Sequence, residues 1–312
     1  MGTRSDRLIV LSIRPSPLAR LLLAALLLHR RSCLAAADCP PPSPASRDEM
    51  GKAAVLVVVF DFDRTLIDCD SDNWVVTEMG LTQLFRQLYP TMPWTSLMNR
   101  MMRELHSQGK SVEDIAECLK RVPLHPQVIS SIRAVHSHGC QLKIVSDANR
   151  FFIETILKQH GLLHCFSEII TNPAFEDEEG RLRIVPFHDT VCSPHGCSLC
   201  PPNMCKGIVL DRFLASELGD ENTRFIYLGD GKGDYCPCLK LRTQDFLMPR
   251  KGFPLWEKIW SNRNLVKAQV HEWSNGDDLA RTLIDLLDRI LKNLDACPLD
   301  FTHEAPLRSI PL

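Results

Sequence analysis

The chain is predicted to be an α/β protein built on a parallel sheet, with helices on both faces and an all-helical insert. Three observations predict this. From residue 55 onward, short runs of β-branched and aromatic residues alternate with segments of helical period. The runs are apolar throughout, as strands covered on both faces are, rather than alternating in polarity. The residues able to do chemistry come just after those runs or at the starts of helices, where open α/β sheets bind ligands.

The elements follow in order. VLVVVF at 55–60 is the first buried strand. Residues 72–125 then become helical only. Leu97, Met101 and Leu105 recur at helical spacing beside Met98 and Met102. Ser111 is placed to cap a helix carrying Val112, Ile115, Ala116 and Leu119. Because this block interrupts the α/β rhythm, it is expected to be a cap (72–125) inserted into a core of 50–71 and 126–295. The rhythm resumes with a helix at 128–138, a strand at 141–146 and a helix at 150–160 stopped by Gly161. SEIIT at 167–171 reads as a strand, EDEEG at 176–180 as a turn and RLRIVPF as an exposed strand. A helix at 206–217, a strand at 224–229 and a last amphipathic helix through Leu279, Leu283, Leu286, Leu287, Ile290 and Leu294 complete the core. Residues 296–312 have little to bury and read as a flexible tail.

Composition narrows the partners. The chain has 312 residues, 45% apolar and 24% charged, which suits one α/β domain with an insert or two small domains. A net charge of −2 with no basic run argues against nucleic acid as the main partner. The 13 cysteines are scattered and odd in number, which points to reduced thiols and a cytoplasmic setting. Residues 1–49 pull the other way. Leu18–Leu28 is a short, mostly apolar stretch interrupted by Arg20, behind Arg4, Arg7 and Arg14, and small residues Ala35, Ala36 and Ala37 follow. This is too short for a stable membrane span and reads as an organellar or secretory targeting segment, or as a dispensable extension upstream of Met50.

The chemistry begins with DFDRT. Asp61 closes the first strand and Asp63 and Thr65 follow in the turn. Carboxylates at the end of a buried strand are costly without a partner, and two this close call for a cation. A Mg²⁺ site is the simplest reading, with Asp61 free to attack phosphorus and Asp63 as general acid and base. Ser146, in KIVSDAN, is a candidate to hold a phosphoryl oxygen, with a plain helix cap by Ser146 or Asp147 as the alternative. Lys206 opens a helix, an unfavourable place for a cation unless it answers another charge. Asp230 and Asp234 follow the strand FIYLG. Asp230 is placed to ligate the metal, and Asp234 to support it. Nucleophile, hydroxyl, lysine and diacid, each at an element end, form the set that phosphoryl transfer requires.

In this order the four segments DFDRT, IVSDAN, CKG and GDGKGD resemble the motifs of the haloacid dehalogenase (HAD) superfamily of phosphatases, across roughly residues 55–250. DSDNWVV, IVSDAN, CPPNMCKG and GDYCP are similar to the phosphoethanolamine/phosphocholine phosphatase group. Within it the resemblance is closest to plant thiamine phosphate phosphatase-like proteins and plant inorganic pyrophosphatases. It implies a Rossmann-like core, a helical cap, Mg²⁺ dependence and an aspartyl-phosphate intermediate. It also implies metal ligation by Asp61, the backbone carbonyl of Asp63, and Asp230. In the choline-headgroup phosphatases, acids matching Asp72 and Asp147 face the amine, so both are candidates to bind a cationic substrate, helix capping being the alternative for each. Trp74 could stack on such a headgroup or pack in the cap.

Cys192, Cys197, Cys200 and Cys205, with His195 among them, allow a Zn²⁺ knuckle, a disulfide or plain buried thiols. Cys236 and Cys238 read as packing. The expected function is hydrolysis of a small soluble phosphomonoester. A pyrophosphatase is the alternative within the class. A catalytically idle phosphometabolite sensor is the alternative outside it.

Overall fold

The computed structural model describes residues 56–188, 195–216 and 223–295. The expectations for residues 1–49, for a core starting at Met50, for Cys192 and for the tail 296–312 lie outside the described residues.

A six-stranded parallel sheet forms the centre, in the order β3–β2–β1–β6–β7–β8. Its strands are β1 (Leu56–Phe60), β2 (Gln141–Asn149), β3 (Phe166–Asn172), β6 (Arg224–Gly229), β7 (Phe246–Pro249) and β8 (Gln269–Val270). β1 sits in the middle and pairs in parallel with both β2 and β6. Strand order reverses direction between β1 and β6. In such sheets that switch point opens a crevice at the strands' carboxyl ends.

Strand period places the core on both faces. Leu56, Val58 and Phe60 pack into one apolar cluster, and Val57 and Val59 into the other. The first face is covered by α5 (Pro126–Ser137), α6 (Arg150–Gln159) and α10 (Gly276–Asp295), through Ile132, Phe152, Leu283 and Leu287. The second is covered by α7 (Lys206–Ala215) and α9 (Pro254–Ser261), through Val209, Phe213, Leu255 and Ile259. The parallel α/β architecture expected from the sequence is what the chain adopts.

Between β1 and α5 the chain forms helices α1 (Ser71–Glu78), α2 (Thr82–Leu88), α3 (Trp94–Ser107) and α4 (Val112–Leu119). The methionine stripe is packing: Met98, Met101 and Met102 are fully buried. Ser111 caps α4 in a reciprocal capping box with Asp114.

Two element readings are corrected. RLRIVPF yields only β5 (Leu182–Ile184), paired antiparallel with β4 (Ala174–Glu176). It is not exposed, because Leu182 and Ile184 are buried and the Ile184 amide donates to Asn99 Oδ1 of α3 (3.2 Å). β2 also runs past Ser146 to Asn149. The cap of α6 is therefore Asn149, whose side chain accepts from the Phe152 amide (3.0 Å), and neither Ser146 nor Asp147 caps it.

Candidate active site

The site grows from the ends of β1 and β6. The Asp61 amide still donates to Leu228 O of β6 (2.9 Å), so the first catalytic candidate is fixed by the last rung of the sheet. After it the chain turns sharply through Phe62–Leu66, and Arg64 takes a left-handed φ of 56°. That conformation costs a non-glycine residue about 1 kcal/mol or more. Two backbone anchors hold it: the Arg64 amide donates to Cys69 O (2.8 Å), and Arg250 donates to Arg64 O (2.6 Å).

Lys206 begins α7 and is almost fully buried. Its Nζ lies 2.9 Å from Asp61 Oδ2, 2.9 Å from Asp234 Oδ1 and 3.5 Å from Asp147 Oδ1. The charge that explains a lysine at a helix start is thus three carboxylates. Burial alone would lower its pKa, but Asp234, Asp61 and Asp147 raise it well above the usual lysine range and keep the ammonium charged.

Asp234 is completely buried and fully partnered. Oδ1 accepts from Lys206 and from Tyr227 OH (2.8 Å); Oδ2 accepts from the amides of Asp230 (3.2 Å) and Gly231 (2.9 Å). It orients the lysine and shapes the loop that carries Asp230. Gly229 makes room for it, since a Cβ there would lie 2.5 Å from Asp234 Cγ. Gly229→Ala should therefore displace Asp234, costing roughly 1–3 kcal/mol by thermal melting, with a disproportionate loss of activity.

Carboxylate oxygens of Asp61, Asp230 and Asp234 all lie within 4.8 Å of one another. Burial, then the Asp234 charge, pushes Asp61 well above the usual carboxylate range, with Lys206 pulling down; the same two causes push Asp230 up to about 6. One lysine does not neutralise three buried acids. Hard oxygens with excess negative charge are the donor set Mg²⁺ takes. Thr65 Oγ1 donates to Asp230 Oδ1 at 3.4 Å, so it lines the same cluster.

The Asp63 carboxylate stands apart. It accepts from the Ser71 amide (2.9 Å) and hydroxyl (3.2 Å) at the start of α1. Burial, with Asp70 and Asp72 nearby, raises its pKa well above the ordinary value, so it holds a proton readily. Ser146 is buried and its hydroxyl accepts from the Ala148 amide (3.3 Å).

Asp72 is buried but caps nothing. Asp70 caps α1, accepting from the Asn73 amide (2.9 Å). Asp72 Oδ2 accepts from Trp94 Nε1 (2.6 Å), while Oδ1 has no hydrogen-bond partner among the described residues. Asn149 Nδ2, also buried, faces the Asp72 carboxyl and favours its charged form without closing a hydrogen bond to it. Burial first, then the Asp70 charge, raises Asp72 to about 7. Asp147, beside Lys206, is half exposed. Trp74 is tied to Cys118 O (3.2 Å) instead. Sequence reasoning singled out Trp74 and missed Trp94 and Asn149, because only the fold brings α3 and β2 to Asp72. A separate cavity of about 400 Å³, lined by Asn99, Arg100, Arg103, Arg181 and Arg183, contains none of these carboxylates.

A family model described as Putative Phosphatase matches residues 56–287. The chain is 57% identical over 244 residues to a thiamine phosphate phosphatase-like protein of Arabidopsis thaliana, covering 78% of this chain and 100% of that one. It is 55% identical over 245 residues to inorganic pyrophosphatase 2 of Arabidopsis thaliana, covering 78% and 88%. A pyridoxal phosphate phosphatase of Bos taurus is 31% identical over 234 residues, covering 72% and 95%. Motif order, family match and relatives agree: the chain belongs to the Putative Phosphatase family and is a HAD-type phosphatase.

Proposed function

We propose that the protein is a Mg²⁺-dependent phosphatase of small cationic phosphomonoesters, acting through a phosphoryl group carried on Asp61. The observation that supports this most is the buried Asp61–Lys206–Asp234 chain beside Asp230 at the switch point of the sheet. Asp61, Asp230 and the backbone carbonyl of Asp63 would hold Mg²⁺, which supplies charge neutralisation and helps keep Asp61 ionised. An Asp61 oxygen forms a bond to phosphorus as the ester oxygen leaves. Asp63, whose affinity for a proton is raised by burial, gives a proton to that leaving oxygen and then takes one from the incoming water. Water attacks phosphorus and Asp61 is regenerated. Lys206 offsets charge on the phosphoryl oxygens and Asp61. Thr65, Ser146 and the amide of Asp147 line the phosphate side.

Helices α1–α4 we read as the cap over this site. Asp72 and Asp147 then face the alcohol portion. A buried carboxyl with a spare acceptor suits an ammonium or thiazolium, as in phosphocholine, phosphoethanolamine or thiamine phosphate. Its neighbours are Asp63 in the turn after β1, Asp70 at the cap of α1, Asp147 and Asn149 on β2, and Trp94 on α3. Below pH about 7 Asp72 is neutral and above it anionic. KM for a cationic ester should therefore fall as pH rises from 6 to 8, while KM for a neutral-headed ester should not. Asp72→Asn should flatten that dependence and lower preference for cationic esters roughly tenfold, about 1.4 kcal/mol. An unchanged ranking would leave Asp72 a packing residue. A raised carboxyl pKa favours the folded state at low pH. That stability is fully present below about 4 and is lost as pH rises through about 7. Asp72→Asn should thus gain melting temperature over the wild type more at pH 8 than at pH 4.

An inorganic pyrophosphatase is the second reading, favoured by the names of two Arabidopsis thaliana relatives 55% and 54% identical. A second phosphate would have to sit near Asp72 and Asp147, which disfavours it. Phosphate release from phosphocholine, phosphoethanolamine, thiamine monophosphate, pyridoxal phosphate and pyrophosphate, with Mg²⁺ and with EDTA, separates the two. Pyrophosphate as the best substrate would overturn the monoester reading. Silence throughout in a folded, Mg²⁺-binding protein would favour a sensor. Reduced thiols fit a cytoplasmic setting, and no described helix is long and apolar enough to cross a membrane.

A further inference from the structure

Four cysteines from two distant segments meet beside the active site. Cys197 and Cys200 lie in the loop before α7, Cys205 immediately precedes Lys206, and Cys236 sits in the short helix α8 (Tyr235–Cys238), two residues after Asp234. All four Sγ atoms lie within 4.8 Å of one another. The Cys197–Cys236 and Cys205–Cys236 sulfur separations are both 3.7 Å.

That distance discriminates between the possible fates of these thiols. A disulfide would require about 2.05 Å. Four sulfurs around a tetrahedral Zn²⁺ at about 2.3 Å stand about 3.8 Å apart along each edge. The two 3.7 Å separations fit tetrahedron edges and are too long for a disulfide bond. His195 is not a competing ligand. Its Nδ1 accepts from the Cys197 amide (3.0 Å) and its Nε2 donates to Pro201 O (2.7 Å), so both ring nitrogens are spent on shaping the loop. The ligand set is soft and closed, with no carboxylate and no free position, which suits structural Zn²⁺ and not the hard Mg²⁺ of the neighbouring acids.

We propose that Cys197, Cys200, Cys205 and Cys236 bind one structural Zn²⁺ as thiolates. Each thiol releases its proton to solvent on binding, with no change of oxidation state. The ion staples the loop at 197–205 to the segment following β6. Two ligands adjoin Lys206 and Asp234, whose 2.9 Å ion pair the staple holds in register. Helix α7 presses onto the same cluster, since a Cβ on Gly207 would lie 2.4 Å from Cys236 Sγ. Cys236, read from the sequence as packing, joins three of the four cysteines named there, while Cys192 lies outside the described residues.

Metal analysis of the full-length protein, dialysed against EDTA until Mg²⁺ is gone, tests this directly. About one zinc per chain should remain, and a thiol-modifying mercurial should release it stoichiometrically. Cys236→Ser and Cys200→Ser should lose the zinc, whereas Cys140→Ser and Asp61→Asn should keep it. Should Cys236→Ser fail to fold, the wild-type measurement and Cys200→Ser, in a partly exposed loop, still decide. A wild type free of zinc that takes up neither Zn²⁺ nor Co²⁺ on refolding would overturn the proposal. So would zinc kept by both cysteine variants and lost in Asp61→Asn, or a Cys197–Cys236 disulfide in freshly prepared, non-reduced protein.

Discussion

Asp61→Asn should lose turnover by on the order of 10⁴-fold or more while melting no lower than the wild type. The two halves of this expectation have separate causes. An amide cannot attack phosphorus, so the covalent step is removed outright. The fold, however, gains: burial and the Asp234 charge already disfavour an ionised group at this position, and the neutral amide keeps the shape that accepts from Lys206. The melting temperature and the phosphate-release rate, measured on one preparation, check both. A variant that retained a tenth of wild-type activity would assign the nucleophile elsewhere.

Lys206→Met should be damaging in both respects. Among the described residues, Lys206 is the one cation paired with Asp61, Asp234 and Asp147. Removing one partner from a buried charge network leaves the others uncompensated, at a cost of about 3–5 kcal/mol. The cost should show as a melting temperature that rises more with added Mg²⁺ than the wild type's does, because a divalent cation near Asp61 and Asp230 offsets the missing charge. Turnover should stay low at saturating Mg²⁺, because the charge on the phosphoryl oxygens is no longer met from the lysine side. A melting temperature equal to the wild type's would mean that Lys206 is not charged in the folded protein. Tyr227→Phe should be milder, since Asp234 keeps three of its four donors.

Much of this site could be read along the chain because its parts lie at the ends of strongly marked elements. VLVVVF, short and rich in β-branched residues, reads as a two-face-buried strand, which puts the carboxylate after it at the carboxyl end of the sheet. Lys206 was conspicuous because its helix position is electrostatically wrong unless a carboxylate answers it. What the sequence left open depends on distance through space. Ser146 looked like a strand end, yet β2 continues to Asn149, since the pairing of Asn149 with Asn172 of β3 extends it. Asp72 seemed as good a cap as any acid there, until Asp70 took the cap one residue before the helix. Trp94 and Asn149 carried no signal as neighbours of Asp72 because only the fold brings them to it. Cys236 was hidden for the same reason: its partners are 31 to 39 residues away, with a strand and a helix between.

Acid-quench trapping during turnover of a labelled phosphomonoester tests the central claim most directly. A phosphoryl group should appear on the protein in the presence of Mg²⁺. It should be labile to hydroxylamine, map to the peptide containing Asp61, and be absent from Asp61→Asn. Steady turnover with no trapped phosphoryl group, unaltered in Asp61→Asn, would contradict the account.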